Sequence, residues 1–378
     1  MDLLRSSFKH IDWYLLSAAV LIALAGLVTM NSFTDTSPFF DRQVIWLSVA
    51  VSVFFIAAIS DWRFLRRTGV VMSIYGLVCG LLLLLFATGS VFKGAQSWFN
   101  LGFAAFQPVD LAKIALIIVL AKYFSRRHIE IANIRHILVS GIYAFIMFML
   151  VAVQPDFGSA VILFLLWFGM VFLSGISKKH LVAVFVVGAT VFTGLWFFGF
   201  QEYQKDRIMT FLNPLSDIHG AGYNAYQSTI AVGSGGIFGK GIGYGTQSKL
   251  RFLPEYQTDF IFAAFAEEWG FIGVCLLLLL FGLLMARIIA AASIGATNFE
   301  TLFALGVAIY ILCHFTLHIG INVGLLPVTG TTLPLMSYGG SHLVAEFLAL
   351  GMVVGMRRYS RAVHRDAYTK EFSGGYDR

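Results

Sequence analysis

Asp259 opens an apolar run directly after a long polar, glycine-rich stretch, so its carboxylate stands at a boundary between water and lipid. Two roles fit that position. It can cap a helix or sit in its first turn, where the helix dipole favours negative charge. Alternatively, a carboxylate at a dry boundary can accept a hydroxyl proton as a general base. Glu267 and Glu268 follow about two turns on. At about 100° per residue, position 267 is rotated roughly 80° from 259, so the acids do not stack and a two-acid glycosidase pair is not indicated.

The stretch 203–273 is the richest in polar chemistry. It holds Arg207, Gly220-Ala221-Gly222-Tyr223, Gln227-Ser228, Gly233-Ser234-Gly235-Gly236, Gly239-Lys240-Gly241, Gly245-Thr246-Gln247-Ser248-Lys249 and Leu253-Pro254-Glu255. Glycines at this density let backbone N–H groups approach an anion closely. Its basic residues suit a phosphate or diphosphate at a membrane surface. The spacing fits neither a P-loop nor a dinucleotide fingerprint, which argues against a nucleotide site.

Polar groups inside apolar runs are costly and usually functional. In Gln107-Pro108-Val109-Asp110-Leu111-Ala112-Lys113, the acid and the lysine are three apart and share a helix face. They form either a structural ion pair, or a site in which Lys113 helps to hold an anionic head group. Asp156, in Gln154-Pro155-Asp156-Phe157-Gly158-Ser159, is placed to cap the next helix. The stretch 327–341, with Ser337 and Gly340, carries Pro and Gly at both ends and implies irregular backbone against protein or a wet cavity. Ser341 is expected to cap the last helix, and Glu346 within it has no obvious partner. His314 and His318 lie four apart without a third ligand nearby. Cys79, Cys275 and Cys313 sit singly in apolar runs, so neither a zinc site nor a disulfide framework is suggested.

The elements that position these residues follow from composition. The 378 residues are 58% hydrophobic and 12% charged, against roughly half and a quarter in soluble domains. That excludes a soluble, disordered or disulfide-stapled chain. The apolar residues come in blocks of about 20, enough to span a bilayer as helices, and without the alternation of a membrane barrel. Ten windows result: 13–30, 43–60, 69–87, 107–124, 137–153, 160–176, 181–200, 259–286, 302–320 and 341–356. The expected fold is all-α, a polytopic integral membrane protein with about ten spans, forming a single membrane domain over 1–378. The N-terminus lacks a cleavage-site pattern, so the first window reads as a span.

Arg5, Lys9, Arg63, Arg66, Arg67, Arg126, Arg127, Arg135, Lys178, Lys179, Arg287, Arg357, Arg358, Arg361 and Arg365 fall on one set of loops and a tail, 357–378. The opposite short loops offer only Arg42 and Lys93. The positive-inside rule then places both termini in the cytoplasm. The net charge of +6 thus orients the chain and gives no reason to invoke nucleic acid. The long extracytoplasmic loop, about 201–258, should be structured, with a short amphipathic helix near 223–231.

Six motifs in order, KGAQSWFNLG (93–102), FQPVDLAK (106–113), QPDFGSA (154–160), GAGYNAYQSTIAVGSGGIFGKG (220–241), GTQSKLRFLPEYQTDFIFAAFAEEWG (245–270) and LPLMSYGGS (333–341), make the chain resemble the SEDS family (shape, elongation, division and sporulation) over nearly its whole length. The resemblance implies a peptidoglycan glycosyltransferase that polymerises lipid II at the outer face of the bacterial cytoplasmic (inner) membrane. Asp259 matches the family's essential loop aspartate and would deprotonate the acceptor sugar hydroxyl. Arg207, Lys240 and Lys249, with Gln247 and Ser248, would hold the donor's diphosphate. Lys113 matches the family's intramembrane lysine. Asp110, Asp156, Glu267, Ser337 and Gly340 would support the site. Implied partners are a class B penicillin-binding protein transpeptidase and other elongation-complex membrane proteins.

The GTQS element before Leu253-Pro254-Glu255 points to the elongation branch over the division branch. Two departures stand out: Val109-Asp110 where the family has Ser-Glu, and Ser97 where an arginine is common. No DxD motif is present, and a divalent cation (Mg or Mn) bridging the diphosphate and Asp259 stays open. The rival reading is a lipid II flippase. Polar groups gathered on one side, and no evident inverted repeat, favour the enzyme.

Overall fold

The computed structural model describes residues 11–32, 38–92, 95–100, 105–125, 134–175, 177–198, 202–213, 222–250 and 252–373. Of the residues singled out above, Arg5, Lys9, Lys93, Arg126, Arg127, Gly220 and Ala221 lie outside these, as do the side chains of Arg207, Arg358, Arg361 and Arg365.

A helix occupies every apolar window. In chain order these are α1 (Trp13–Asn31), α2 (Pro38–Ile59), α3 (Thr68–Thr88), α4 (Pro108–Ser125), α5 (Ile134–Ala152), α6 (Phe157–Leu173) and α7 (Lys178–Phe198). Three shorter helices follow in the long loop: α8 (Glu202–Leu212), α9 (Tyr223–Ser234) and α10 (Thr246–Lys249). The last three are α11 (Ile261–Ser293), α12 (Asn298–Asn322) and α13 (Gly340–Ser373). By length and composition, α1, α2, α3, α5, α11 and α12 are able to cross a bilayer. Local signals set several starts. Pro38 and Pro108 begin helices where a missing N–H costs nothing, and Asp12 and Asp156 cap α1 and α6 by accepting from Leu15 N (3.2 Å) and Ser159 N (3.1 Å).

The most charged of the early helices is also the central one. α4 carries Asp110, Lys113 and Lys122, yet it is buried along almost its whole length and packs against α3, α6, α12 and α13. Around it, α2 packs on α13 and α1 on α11, with apolar residues facing outward from α2, α3, α5 and α7. Polar groups inside and hydrocarbon outside is the pattern that lipid demands.

Three expectations need adjusting. The segment after α3, expected to be loop, forms a small antiparallel sheet of β1 (Ser90–Phe92), β2 (Ala95–Asn100) and β3 (Ala105–Phe106), in the order β1-β2-β3. Ser97 is buried in β2. The helix expected near 223–231 runs three residues further, as α9. Finally, α11 begins only at Ile261, after the non-helical Phe260 (φ −124°, ψ 24°), so Asp259 stands outside the helix and its angle to Glu267 does not follow from helical periodicity. The helix is also interrupted beyond both glutamates, at Gly270 (φ 63°, ψ −167°).

Ion contacts gather one end of the bundle. Asp12 accepts from Arg287 Nη2 at 2.6 Å and Arg357 Nη1 at 2.8 Å, joining the start of α1 to α11 and α13. Arg66, after α2, meets Glu300 of α12 at 2.6 Å. The irregular 154–159 and 327–340 segments and Asp259 lie at the opposite end.

Candidate active site

The long loop is built around the break in α11. At Gly270 the first segment of the helix stops and the second begins, leaving carbonyls and N–H groups without helical partners. The loop supplies them. Lys240 N and Gly241 N donate to the carbonyls of Glu267 and Glu268 (both 3.0 Å), while Phe271 N and Ile272 N donate to those of Gly236 and Ile237 (2.9 and 3.2 Å). Such close threading requires glycine. A Cβ at Gly239 (φ +80°) would lie 2.0 Å from the carbonyl oxygen of Glu268, and one at Gly235 2.1 Å from that of Ala266. The nearest neighbour of these two glycines is therefore the broken helix and not an anion.

Beside the break, Oε1 of the fully buried Glu267 accepts from Lys240 Nζ (2.7 Å), Thr246 Oγ1 (3.1 Å), Gln247 N (3.1 Å) and, at 3.4 Å, Ser234 Oγ. Lys240, expected at the diphosphate, is thus the counter-ion of an internal carboxylate, although 28% of its side chain stays exposed. Gln247 donates its backbone N–H to this cluster. Ser248 is buried and Lys249 exposed on the same short helix. Glu268 points the other way and accepts from Gly243 N at 2.6 Å.

Asp259 lies just before α11 and is half-buried. The 327–340 segment clasps its neighbours. Ser337 Oγ donates to Thr258 O and also accepts from Leu333 N, both at 2.8 Å, and Tyr338 N donates to Gln257 O at 2.8 Å. Gln43 of α2 holds the same segment, bonding Ser337 O and Gly339 N at 3.2 Å. Gly340 packs so tightly on Trp46 that a Cβ would come within 2.2 Å of the ring. Gly330 (φ +73°) approaches the carboxylate itself: a Cβ there would be 3.9 Å from Asp259 Oδ2. Gly158 abuts Thr329 O, and Asp156 Oδ2 accepts from Gln107 Nε2 at 3.2 Å. The motifs at 107, 154–159 and 327–341 and the aspartate at 259 thereby converge.

Below them runs a buried chain of charge. Lys113 Nζ meets Asp110 Oδ1 at 3.1 Å, and both are almost inaccessible. The same oxygen is 3.1 Å from His342 Nδ1, and Oδ2 accepts from Ser341 Oγ at 3.0 Å. His342 Nε2 lies 3.0 Å from Glu346 Oε1, and Glu346 Oε2 accepts from Leu335 N at 2.7 Å. Two expectations are corrected. Glu346 has a partner, His342, one turn back on its own helix. Ser341 reaches across to Gln107 and Asp110, because α4 lies within hydrogen-bonding distance. His342 itself escaped sequence reasoning: its other partner, Asp110, is 232 residues away. The i,i+4 spacing to Glu346 was the available signal. Among the described residues, no group of three or more His, Cys, Asp or Glu side chains is arranged to hold a metal.

Comparison with known proteins places this geometry in a family. A family model for FtsW, RodA and SpoVE, described as "Cell cycle protein", matches residues 7–362. The chain is 35% identical over 357 residues to "Peptidoglycan glycosyltransferase MrdB" of Escherichia coli (strain K12), covering 94% of this chain and 96% of that one. It is also 35% identical over 364 residues to "Stage V sporulation protein E" of Bacillus subtilis (strain 168), covering 93% and 98%. Among solved structures, a chain from "Structural coordination of polymerization and crosslinking by a peptidoglycan synthase complex" superposes with a TM-score of 0.79 at 32% identity, covering 92% of this chain and 98% of that one.

Proposed function

The chain belongs to the FtsW/RodA/SpoVE family of cell cycle proteins, polytopic helical membrane proteins, and from that premise we propose that it is a peptidoglycan glycosyltransferase polymerising lipid II at the outer face of the cytoplasmic membrane. The observation that carries this reading is the convergence of segments 107, 154–159 and 327–341 on Asp259, at the end of the bundle opposite the Asp12–Arg287–Arg357 contacts.

In this reaction Asp259 takes the proton of the acceptor sugar hydroxyl as its oxygen attacks the donor's anomeric carbon. The bond from that carbon to the lipid diphosphate breaks, and the diphosphate leaves with the bonding pair. Lys249 and Arg207, together with Gln247 and Ser248, take the role of offsetting the charge that develops on it. Lys240 contributes through its exposed portion while neutralising Glu267. Lys113, if it meets the head group, does so from inside its pair with Asp110. A divalent cation held by Asp259 would supply Lewis-acid neutralisation of charge on the departing diphosphate.

Both termini are placed in the cytoplasm, because the basic end of the bundle is the cytoplasmic one. The partner is a class B penicillin-binding protein transpeptidase together with elongation-complex membrane proteins. The similar solved chain comes from a peptidoglycan synthase complex that coordinates polymerization and crosslinking, which supports this pairing. Assignment to elongation and rod shape rests on Gly245-Thr246-Gln247-Ser248, since MrdB and the sporulation protein are equally identical to the chain.

The test is polymerisation of purified lipid II by the full chain with its partner, comparing wild type with Asp259→Ala and Asp259→Asn. Wild-type rates in both variants would sink the general-base assignment. Lipid II transport across vesicles by wild type, with no polymer formed, would favour a flippase instead.

A further inference from the structure

We infer that Asn322 is a positioning residue that sets the orientation of Asp259 through its main chain. This rests on the reading of Asp259 as the general base. α11 lacks a cap of its own: it begins at Ile261, and its N-cap, Phe260, has no side-chain acceptor. The N–H of the third residue, Ala263, is one that an N-cap side chain would ordinarily take. Asn322, at the end of α12, takes it instead: its Oδ1 accepts from Ala263 N at 3.1 Å. The cap is supplied in trans, from 59 residues away.

The other end of the same amide does different work. Nδ2 donates to the carbonyl of Asp259 at 3.0 Å and to His318 O, one turn back on its own helix, at 2.8 Å. Both N–H bonds and the carbonyl of the amide are engaged, and the residue is wholly buried. Asp259 N donates to Glu255 O at 3.1 Å, so the peptide groups on both sides of the aspartate are held. The pin is braced from two directions. Ser228 Oγ of α9 donates to Asn322 O at 2.8 Å, and His318 Nδ1 lies 2.8 Å from Thr331 O, in the segment that carries Gly330 past Asp259 Oδ2. Only a carboxamide offers a donor and an acceptor in one plane at this length; an aspartate could cap Ala263 but would face the Asp259 carbonyl without a proton.

A displacement of about 1 Å at a reacting group costs on the order of 100-fold in rate, and the base must lie within hydrogen-bond reach of the hydroxyl it deprotonates. Asn322 is wholly buried and so acts on the reaction only through Asp259.

The experiment is steady-state lipid II polymerisation by the full chain with its partner transpeptidase in phospholipid vesicles, beside thermal melting of each variant. Asn322→Asp retains the cap and loses the donor. It should lower kcat by roughly 10- to 100-fold, with KM for lipid II unchanged and a melting temperature near wild type. Asn322→Gln keeps donor and acceptor and should restore part of kcat even where overpacking lowers its melting temperature. If Asn322→Asp does not assemble, Asn322→Ala, which also removes the donor to Asp259 O, decides: kcat per folded protein reduced at unchanged KM supports the inference, and wild-type kcat overturns it. A loss of kcat in any variant that merely tracks loss of folded protein also overturns it, leaving a structural cap. Asp259→Ala runs alongside. Should it retain wild-type activity, the reading of Asp259 falls; should it be inactive while Asn322→Asp keeps wild-type kcat, the positioning role alone falls.

Discussion

Lys240 Nζ lies 2.7 Å from Oε1 of Glu267, a carboxylate with no exposed surface, at the point where α11 breaks and the long loop threads through it. This pair joins the loop to the helix that begins beside Asp259. A buried carboxylate deprived of its counter-ion is strongly destabilising, whereas replacing both partners together is close to neutral. Lys240→Met should therefore cost about 2 kcal/mol, moderated by the hydroxyl and amide donors that Glu267 retains. Lys240→Met combined with Glu267→Gln should recover most of it. Thermal melting in detergent reads this cycle. Lost polymerisation without lost stability in Lys240→Met would instead place the lysine on substrate.

Gly239 and Gly233 make a matched contrast. Gly239→Ala introduces a Cβ 2.0 Å from the Glu268 carbonyl at a φ of +80°, whereas Gly233, within α9, has open space around it. Gly239→Ala should abolish the folded protein, as judged by gel filtration in detergent. Gly233→Ala should leave it intact and raise stability by about 0.5–1 kcal/mol, the usual gain for alanine over glycine inside a helix.

Asp110 accepts contacts from Lys113, His342 and Ser341 at 3.0–3.1 Å, so the longer acid common in the family has no room. Asp110→Glu should destabilise by about 1–3 kcal/mol through overpacking. Pairing it with His342→Ser should relieve the strain. Asp110→Ala, which strands Lys113 in a buried site, should be worse, about 3–5 kcal/mol. Equal melting temperatures for Asp110→Glu and wild type would refute the packing account.

At the basic end, Asp12 serves Arg287, Arg357 and the first turn of α1 at once. Asp12→Ala should cost more than either arginine substitution alone, because it leaves two cations facing each other as well as an uncapped helix. Melting curves of the three variants decide it; a larger loss in Arg287→Ala than in Asp12→Ala would contradict the shared-acceptor account.

Much of the architecture was legible in the chain. Blocks of about 20 apolar residues located ten helices, since a hydrocarbon solvent leaves few alternatives to a run of that length. Pro108 and Asp156 marked helix starts through local chemistry, and both serve there. Asp110 and Lys113 were readable as neighbours because a helix brings positions three apart together. The glycines of the long loop were not legible in the same way. Their number suggested an anion cradle, but Gly235 and Gly239 are small because a broken helix passes against them.

What the sequence determined by itself is what local rules decide: membrane spans, the segregation of basic loops, helix caps, and the motif that draws attention to Asp259. Tertiary structure alone decided which polar groups meet across the bundle. His342 finds Asp110 across 232 residues, Lys240 finds Glu267 across 27, and Asn322 caps a helix that starts 61 positions before it. The reason is physical. In a low-dielectric interior each buried donor or acceptor must find a partner, and periodicity identifies which groups are buried without specifying which helix will stand opposite.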